Sequence, residues 1–363
     1  MSASQQMLLA EQYIKQWVSA GGIVQDSSNT TTTVSITMLS SVLALVVTAD
    51  STTRYLLAFT LSISGTTVTK NATLTVNAAS SNYTSVTALS ATQAIVTFQN
   101  NSTTYLNTCT LNISGTTVSA GAILAVNAVF TYTTSVTKLS STQAIVAYTG
   151  TSTYLQTCTL NISGTTVTAG AILTVNAVSS TGIAVTQLST TQAIVAYTGA
   201  STYLQTCTLN ISGTTVTAGA ILTVNALSSA CIAVTQLSTT QAIVTFRGGT
   251  PYPIQACTLN VSGTTVTAGT TLTVDSSGNA GNATSVSLLS ATQAILVYGV
   301  NSPYSYTQSC VLNVSGTTLT AGAIIIIDIG PNSVSVCTLS SAQAVTAYVV
   351  GSSTLRFCTL NTY

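Results

Sequence analysis

Five carboxylates, Glu11, Asp26, Asp50, Asp275 and Asp328, are all that this 363-residue sequence offers for acid–base chemistry, and it contains no histidine. General acid–base catalysis commonly draws on histidine or on paired carboxylates. Asp275 and Asp328 stand where other stretches carry Asn77, Asn127, Asn176 and Asn225, so they are expected to be turn-forming variants and not a catalytic pair. The abundant serines and threonines lack a base to activate them. Eight cysteines show neither the close spacing nor the histidine partners of a metal centre. A non-enzyme without metal or cofactor is expected.

Binding chemistry is better represented. Tyr55, Tyr105, Tyr154, Tyr203, Tyr252 and Tyr304 recur at one place in successive stretches, amid hydroxyl-rich neighbours. Such faces suit carbohydrate, although a packing residue copied with each stretch would leave the same trace. Phe130, Tyr132 and Arg247 fall in segments where the stretches differ, "AVFTYTTS" (128–135) and "RGGTPYPI" (247–254), as does "SSGNAGNATS" (276–285). Asn112, Asn161, Asn210, Asn260 and Asn313 each open an Asn-Ile-Ser or Asn-Val-Ser triplet. They either accept glycans or shape the turn that follows. The six Lys and Arg are scattered and only 3% of residues are charged, which argues against a nucleic-acid partner. Mean hydropathy is high, +0.55, but no run reaches the roughly 18 to 20 apolar residues of a membrane span, so membrane insertion is not expected.

These residues recur because the chain repeats. Leu-Ser pairs at Leu39, Leu89, Leu139, Leu188, Leu237, Leu289 and Leu339 mark seven copies spaced by about 50 residues. Within residues 134–177 the period-two alternation of Ser and Thr with Val, Ile, Leu and Ala predicts strands A ("TSVTKLS"), B ("AIVAYT"), C ("YLQTCTLNI") and D ("TTVTAGAILTVN"). A Ser-Gly step supplies the C–D turn, and the Ala-Gly step predicts a bulge within D. Four antiparallel strands per copy and seven copies predict an all-β, seven-bladed β-propeller. Its first six blades span 32–78, 84–128, 134–177, 183–226, 232–276 and 284–329, and 332–363 supplies three strands of the seventh.

The missing fourth strand has a source near the start. Ala20-Gly21 lies in register with Ala120-Gly121 and Ala169-Gly170, so residues 16–28 are expected to complete the last blade and close the ring. Ahead of them, residues 1–15 carry an apolar stripe at helical spacing that runs into the closing segment. Met7, Leu9, Tyr13, Ile14 and Trp17 predict a short amphipathic helix that docks on its own propeller or on another subunit. Cys109, Cys158, Cys207, Cys257, Cys310 and Cys358 fall at one position of strand C in different blades and are expected to be free.

The run "LSxTQAIVAY" followed by "LNISGTTVTAG" resembles repeat propellers of bacteriophage tail-fibre and other virion proteins and of environmental bacterial surface proteins. That resemblance covers residues 16–363 and carries over no catalytic motif. It implies a structural or adhesive virion component joined to other structural subunits through its N-terminal helix, with cell-surface glycan as a further partner. The polar start "MSASQQMLLAEQ", which lacks the look of an export signal, agrees with release in a virion. The alternative is a secreted or surface glycan-binding protein, or a subunit of an extracellular fibre.

Overall fold

The structure, a computed structural model, describes residues 18–276, 280–301, 305–351 and 353–363. The expected N-terminal helix and its stripe, Met7, Leu9, Tyr13, Ile14 and Trp17, lie outside the described residues, as does Tyr304. The rest is an all-β ring of seven blades.

One blade shows the logic. Strand A, Thr134–Ser140, pairs with B, Gln143–Thr149, and B pairs with C, Tyr154–Ser163, all antiparallel. Strand B is buried almost throughout, since apolar residues of both its faces meet a neighbouring blade. Strand D departs from the expected single bulged strand. It forms two short strands, Thr166–Ala169 and Leu173–Ser179, which both pair with C. At the break stands Gly170, where a Cβ would overlap the Thr159 hydroxyl and the Thr214 carbonyl of the next blade. Gly121, Gly219 and Gly269 are held the same way.

What occupies that space is the principal link between blades. Thr159 Oγ1 donates to the Thr214 carbonyl in the next blade's C–D hairpin (3.1 Å), and Thr60, Thr110, Thr208, Thr258 and Thr359 repeat the bond to Thr116, Thr165, Thr264, Thr317 and Thr66. Beside it, Gln143 Nε2 reaches both Asn161 Oδ1 and the Gly213 carbonyl, each at 2.8 Å. Around the axis, Ser35, Ser85, Ser135, Ser285 and Ser335 accept the backbone N–H of the adjacent inner strand at 3.0–3.1 Å. The inner strands would otherwise present unpaired edges. Seven apolar cores fill the seven blade interfaces, one core in each.

The ring closes as its sequence register predicts. Val18–Ala20 pairs with Leu360–Thr362, and Val24 and Gln25 pair with Phe357 and Arg356. The chain then continues without interruption as the inner strand of the first blade, within Val24–Ser40. Two ion pairs flank this seam. Lys70 Nζ meets Asp26 Oδ2 at 2.7 Å, joining blades one and seven, and Arg356 Nη1 meets Asp328 Oδ2 at 2.7 Å, joining seven and six. Lys70 also stands 4.7 Å from the centre of the Phe59 ring, and Phe59 packs edge-on against Phe357 at 5.8 Å.

All eight cysteines are free, and those of strand C are buried. Burial pushes the thiols of Cys109, Cys158, Cys207, Cys257, Cys310 and Cys358 up to about 12 from 9.0. A native thiol that holds its proton more tightly than the unfolded one stabilises the fold below pH 9, and that contribution is lost as pH rises from 9 through 12. Melting temperature is therefore expected to be flat through neutral pH and to fall above pH 9, with the fall lessened by Cys→Ala changes at Cys158 and Cys207. Truncation tests the seam: removal of residues 1–14 should leave thermal stability near that of the full chain, whereas removal of residues 1–28 exposes a sheet edge and should lower it and promote aggregation. Equal stability of the two truncations on melting would refute closure by this strand.

Candidate functional site

The A–B and C–D turns share one face of the disc, and the B–C and D–A connections share the other. The first face is nearly invariant because it carries the links between blades. Asn112, Asn161, Asn210, Asn260 and Asn313 lie there, half-buried, each accepting a hydrogen bond from the Gln that opens strand B of its blade (2.7–3.0 Å). Each amide oxygen thus ties the end of strand C to the start of strand B.

The second face is built of the connecting loops. After strand B of blades three and four the chain makes a single tight turn, Thr151–Thr153 or Ala200–Thr202, with Ser152, Thr153, Ser201 and Thr202 at positive φ. Gly150 and Gly199 precede these turns, with the side-chain amides of Gln156 and Gln205 lying against them. The carbonyls of Thr153 and Thr202 accept the N–H of Ser180 and Ser229 (2.9 Å), tying each B–C loop to the D–A connection of its blade.

Beneath the loops lies a matched set of contacts that the repeat pattern did not disclose. Asn127 and Asn176 donate to the hydroxyls of the fully buried Tyr148 and Tyr197 in the following blade, each at 3.0 Å. Where that blade carries Phe98 or Phe246 instead, Asn77 and Asn225 turn to Ser81 and Ser229 in their own connection, each at 3.1 Å. Asp275 and Asp328, expected as turn-forming variants, are corrected here. They accept from Tyr298 and Tyr348 of the next blade at 3.2 and 3.1 Å, and Asp328 also holds Arg356. Burial foremost, then nearby thiols and these carboxylates, raises both phenols.

The tyrosines singled out from sequence do not converge. Tyr105, Tyr154 and Tyr203 each head strand C of a separate blade and are half-buried. Tyr252 lies in its loop, exposed, with Arg247 5.5 Å from the ring centre. Phe130 and Tyr132 do meet, edge-on at 4.3 Å, and remain 44% and 43% exposed on the connection between blades two and three. A cavity of about 430 Å³ opens between blades three and four, lined by Val178, Ser179 and Thr181 on one side and by residues 198–202 on the other. Tyr154 pairs in register with Ser179 at its edge. The hydroxyls of Ser179, Thr181, Ser201 and Thr202 were not singled out, because in a chain so rich in Ser and Thr their type carries no signal. Nothing that lines the cavity is charged. It offers hydrogen-bonding oxygens and small apolar surface, and no group able to exchange a proton near neutral pH.

No family model matches the chain, and no curated protein matches it. Solved structures do. A lectin from Burkholderia pseudomallei superposes with a TM-score of 0.66 at 10% identity, covering 92% of this chain and 98% of that one. A protein from Lactobacillus plantarum gives 0.58 at 13%, over 90% and 87%. The Aleuria aurantia lectin in complex with Fucα1-6GlcNAc gives 0.50 at 14%, over 81% and 96%. At such identities the likeness is one of fold. The structures named are lectins and a bacterial protein, and they supply no link to phage tail fibres.

The buried contacts make a direct prediction. Asn176→Ala removes the donor to the sealed Tyr197 hydroxyl and should cost about 1–3 kcal/mol of stability. In urea unfolding, adding Tyr197→Phe to that variant should restore part of the loss, an outcome that simple cavity formation would not give.

Proposed function

We propose that the protein is a non-catalytic, multivalent glycan-binding propeller that works outside the cell or at its surface. The observation that carries this reading is the uncharged, hydroxyl-lined cavity between blades three and four, with Tyr154 the strand partner of Ser179 in its wall. Sugars present hydroxyls and apolar C–H faces, and this wall answers both without a net charge. The likeness in fold to lectins, one of them solved with a fucosylated disaccharide, agrees with it. The tight loop that walls the cavity in blade four recurs in blade three, so a second site of the same kind would raise avidity for a clustered glycan surface without new contacts. The virion role expected from the repeat is favoured by no residue of the described structure.

Glycan-array binding by the full chain is expected, with little change on raising salt, since so few charges are available for counterion effects. Ser179→Ala with Thr181→Val, or Tyr154→Ala, should lower binding several-fold while leaving the melting temperature within a few degrees. An array without hits, or binding that collapses at moderate salt, would overturn the reading; unfolding of Tyr154→Ala alone would assign that ring to packing.

A further inference from the structure

The outer strand of blade six, Ile325–Ile329, departs from its counterparts. Where blades one to five carry Thr75, Ala125, Thr174, Thr223 and Thr273 it has Ile326, and where they carry alanine or serine it has Ile329. These two isoleucines are 57% and 61% exposed, and the exposed Ile324 extends the patch along the rim. Asp328 lies between them, yet both its carboxylate oxygens are engaged. Oδ2 accepts from Tyr348 and Arg356 of blade seven, and Oδ1 from the N–H of Ile329. The patch is therefore apolar, on a strand at the edge of its sheet. Such an edge pairs with other chains unless something covers it.

The place where the chain enters the described structure identifies the cover. Val18 is buried and packs in one apolar cluster with Ile325 and Ile327 of this same strand. The chain thus arrives at the seam against blade six. Residues 1–17 precede Val18 and lie outside the described residues; at up to about 3.3–3.6 Å per residue, they are long enough to reach any part of the strand. Their composition suits the patch, with Met7, Leu9, Tyr13, Ile14 and Trp17 apolar and only Glu11 and Lys15 charged.

The pattern of links points the same way. Gln93, Gln143, Gln192, Gln241 and Gln343 each donate to a hairpin glycine carbonyl of the next blade at 2.7–2.8 Å. Gln293 of blade six reaches only Asn313 among the described residues. Counted back from Val18 in its strand pairing, the position matching those glycines is Lys15, within the segment.

We propose that residues 1–17 dock, within their own chain, on the outer strand of blade six, with their apolar side chains against Ile324, Ile326 and Ile329. This cover keeps the edge from joining a second copy of the disc. Glycan binding plays no part in it.

Glu11 is the one glutamate of the chain, so a glutamate-specific protease applied to the native full-length protein cuts inside the segment and nowhere else. Cleavage, followed by mass, should be slow and independent of protein concentration. Ile326→Thr with Ile329→Ala introduces residues that other blades already carry at these places. It should speed cleavage about tenfold by populating the undocked segment, whereas Ile221→Thr, at an exposed isoleucine of blade four, should leave the rate unchanged. In sedimentation, the chain lacking residues 1–14 should self-associate at concentrations where the full chain is monomeric, and the two isoleucine changes should return it to monomer. Equal cleavage of the full chain and the double variant would overturn docking on blade six. Protection that grows with protein concentration would assign the patch to a second copy instead, and a truncated chain that stays monomeric would refute the protective role.

Discussion

The ring rests on one repeated hydrogen bond, from a strand-C threonine hydroxyl to a backbone carbonyl in the next blade's hairpin. Other features follow from making room for it. In most blades glycine stands on strand D at the crossing point, where a Cβ would overlap the threonine hydroxyl and the carbonyl it meets. The hairpin must bring its carbonyl to a fixed place, so Ser-Gly recurs with glycine at φ near +60°. Where Asn71 replaces the glycine, its amide donates to Thr60 Oγ1 (3.0 Å) and Ser62 Oγ (2.9 Å), so the crossing is kept by a side chain. In blade six the threonine is Val311. That blade faces the seventh, whose strands C and D come from opposite ends of the chain, so no hairpin links them to offer the carbonyl.

This arrangement divides labour between the faces. The hairpin face carries the links and repeats almost without change, while the loop face carries fewer of them and differs between blades. Such a scaffold tolerates new loops because its cohesion lies elsewhere. It also explains how a chain with so few charges holds its shape. Hydroxyl, amide and carbonyl bonds at each interface are short and aimed, and each is joined to an apolar core.

Much of the fold was legible in the sequence because it depends on periodicity. The Leu-Ser markers gave the blade count, alternation gave the strands, and the register of Ala20-Gly21 gave the closing strand. The site was less legible. The Ala-Gly step marked an irregularity in strand D, but its division into two strands that both pair with C shows only in the sheet. The roles of Asp275 and Asp328 depend on tyrosines in the following blade, although the switch between Asn-with-Tyr and Asn-with-Phe is visible once the blades are aligned in space. The loop cavity is shaped by serines and threonines that in sequence look like those of any strand. Tyr154 was marked by its recurrence, and only strand pairing placed it beside Ser179.

The seam has a meaning of its own. A chain of near-identical modules faces an ambiguity of address, because a closing strand suited to one blade would suit most of them. Of six basic and five acidic residues, two of each sit at this junction, in pairs that no other blade can reproduce. Asp26 meets Lys70 of the first blade, and Arg356 meets Asp328 of the sixth. Charge here acts as a label that distinguishes the correct join from its imitations, and it fixes where a repetitive message ends.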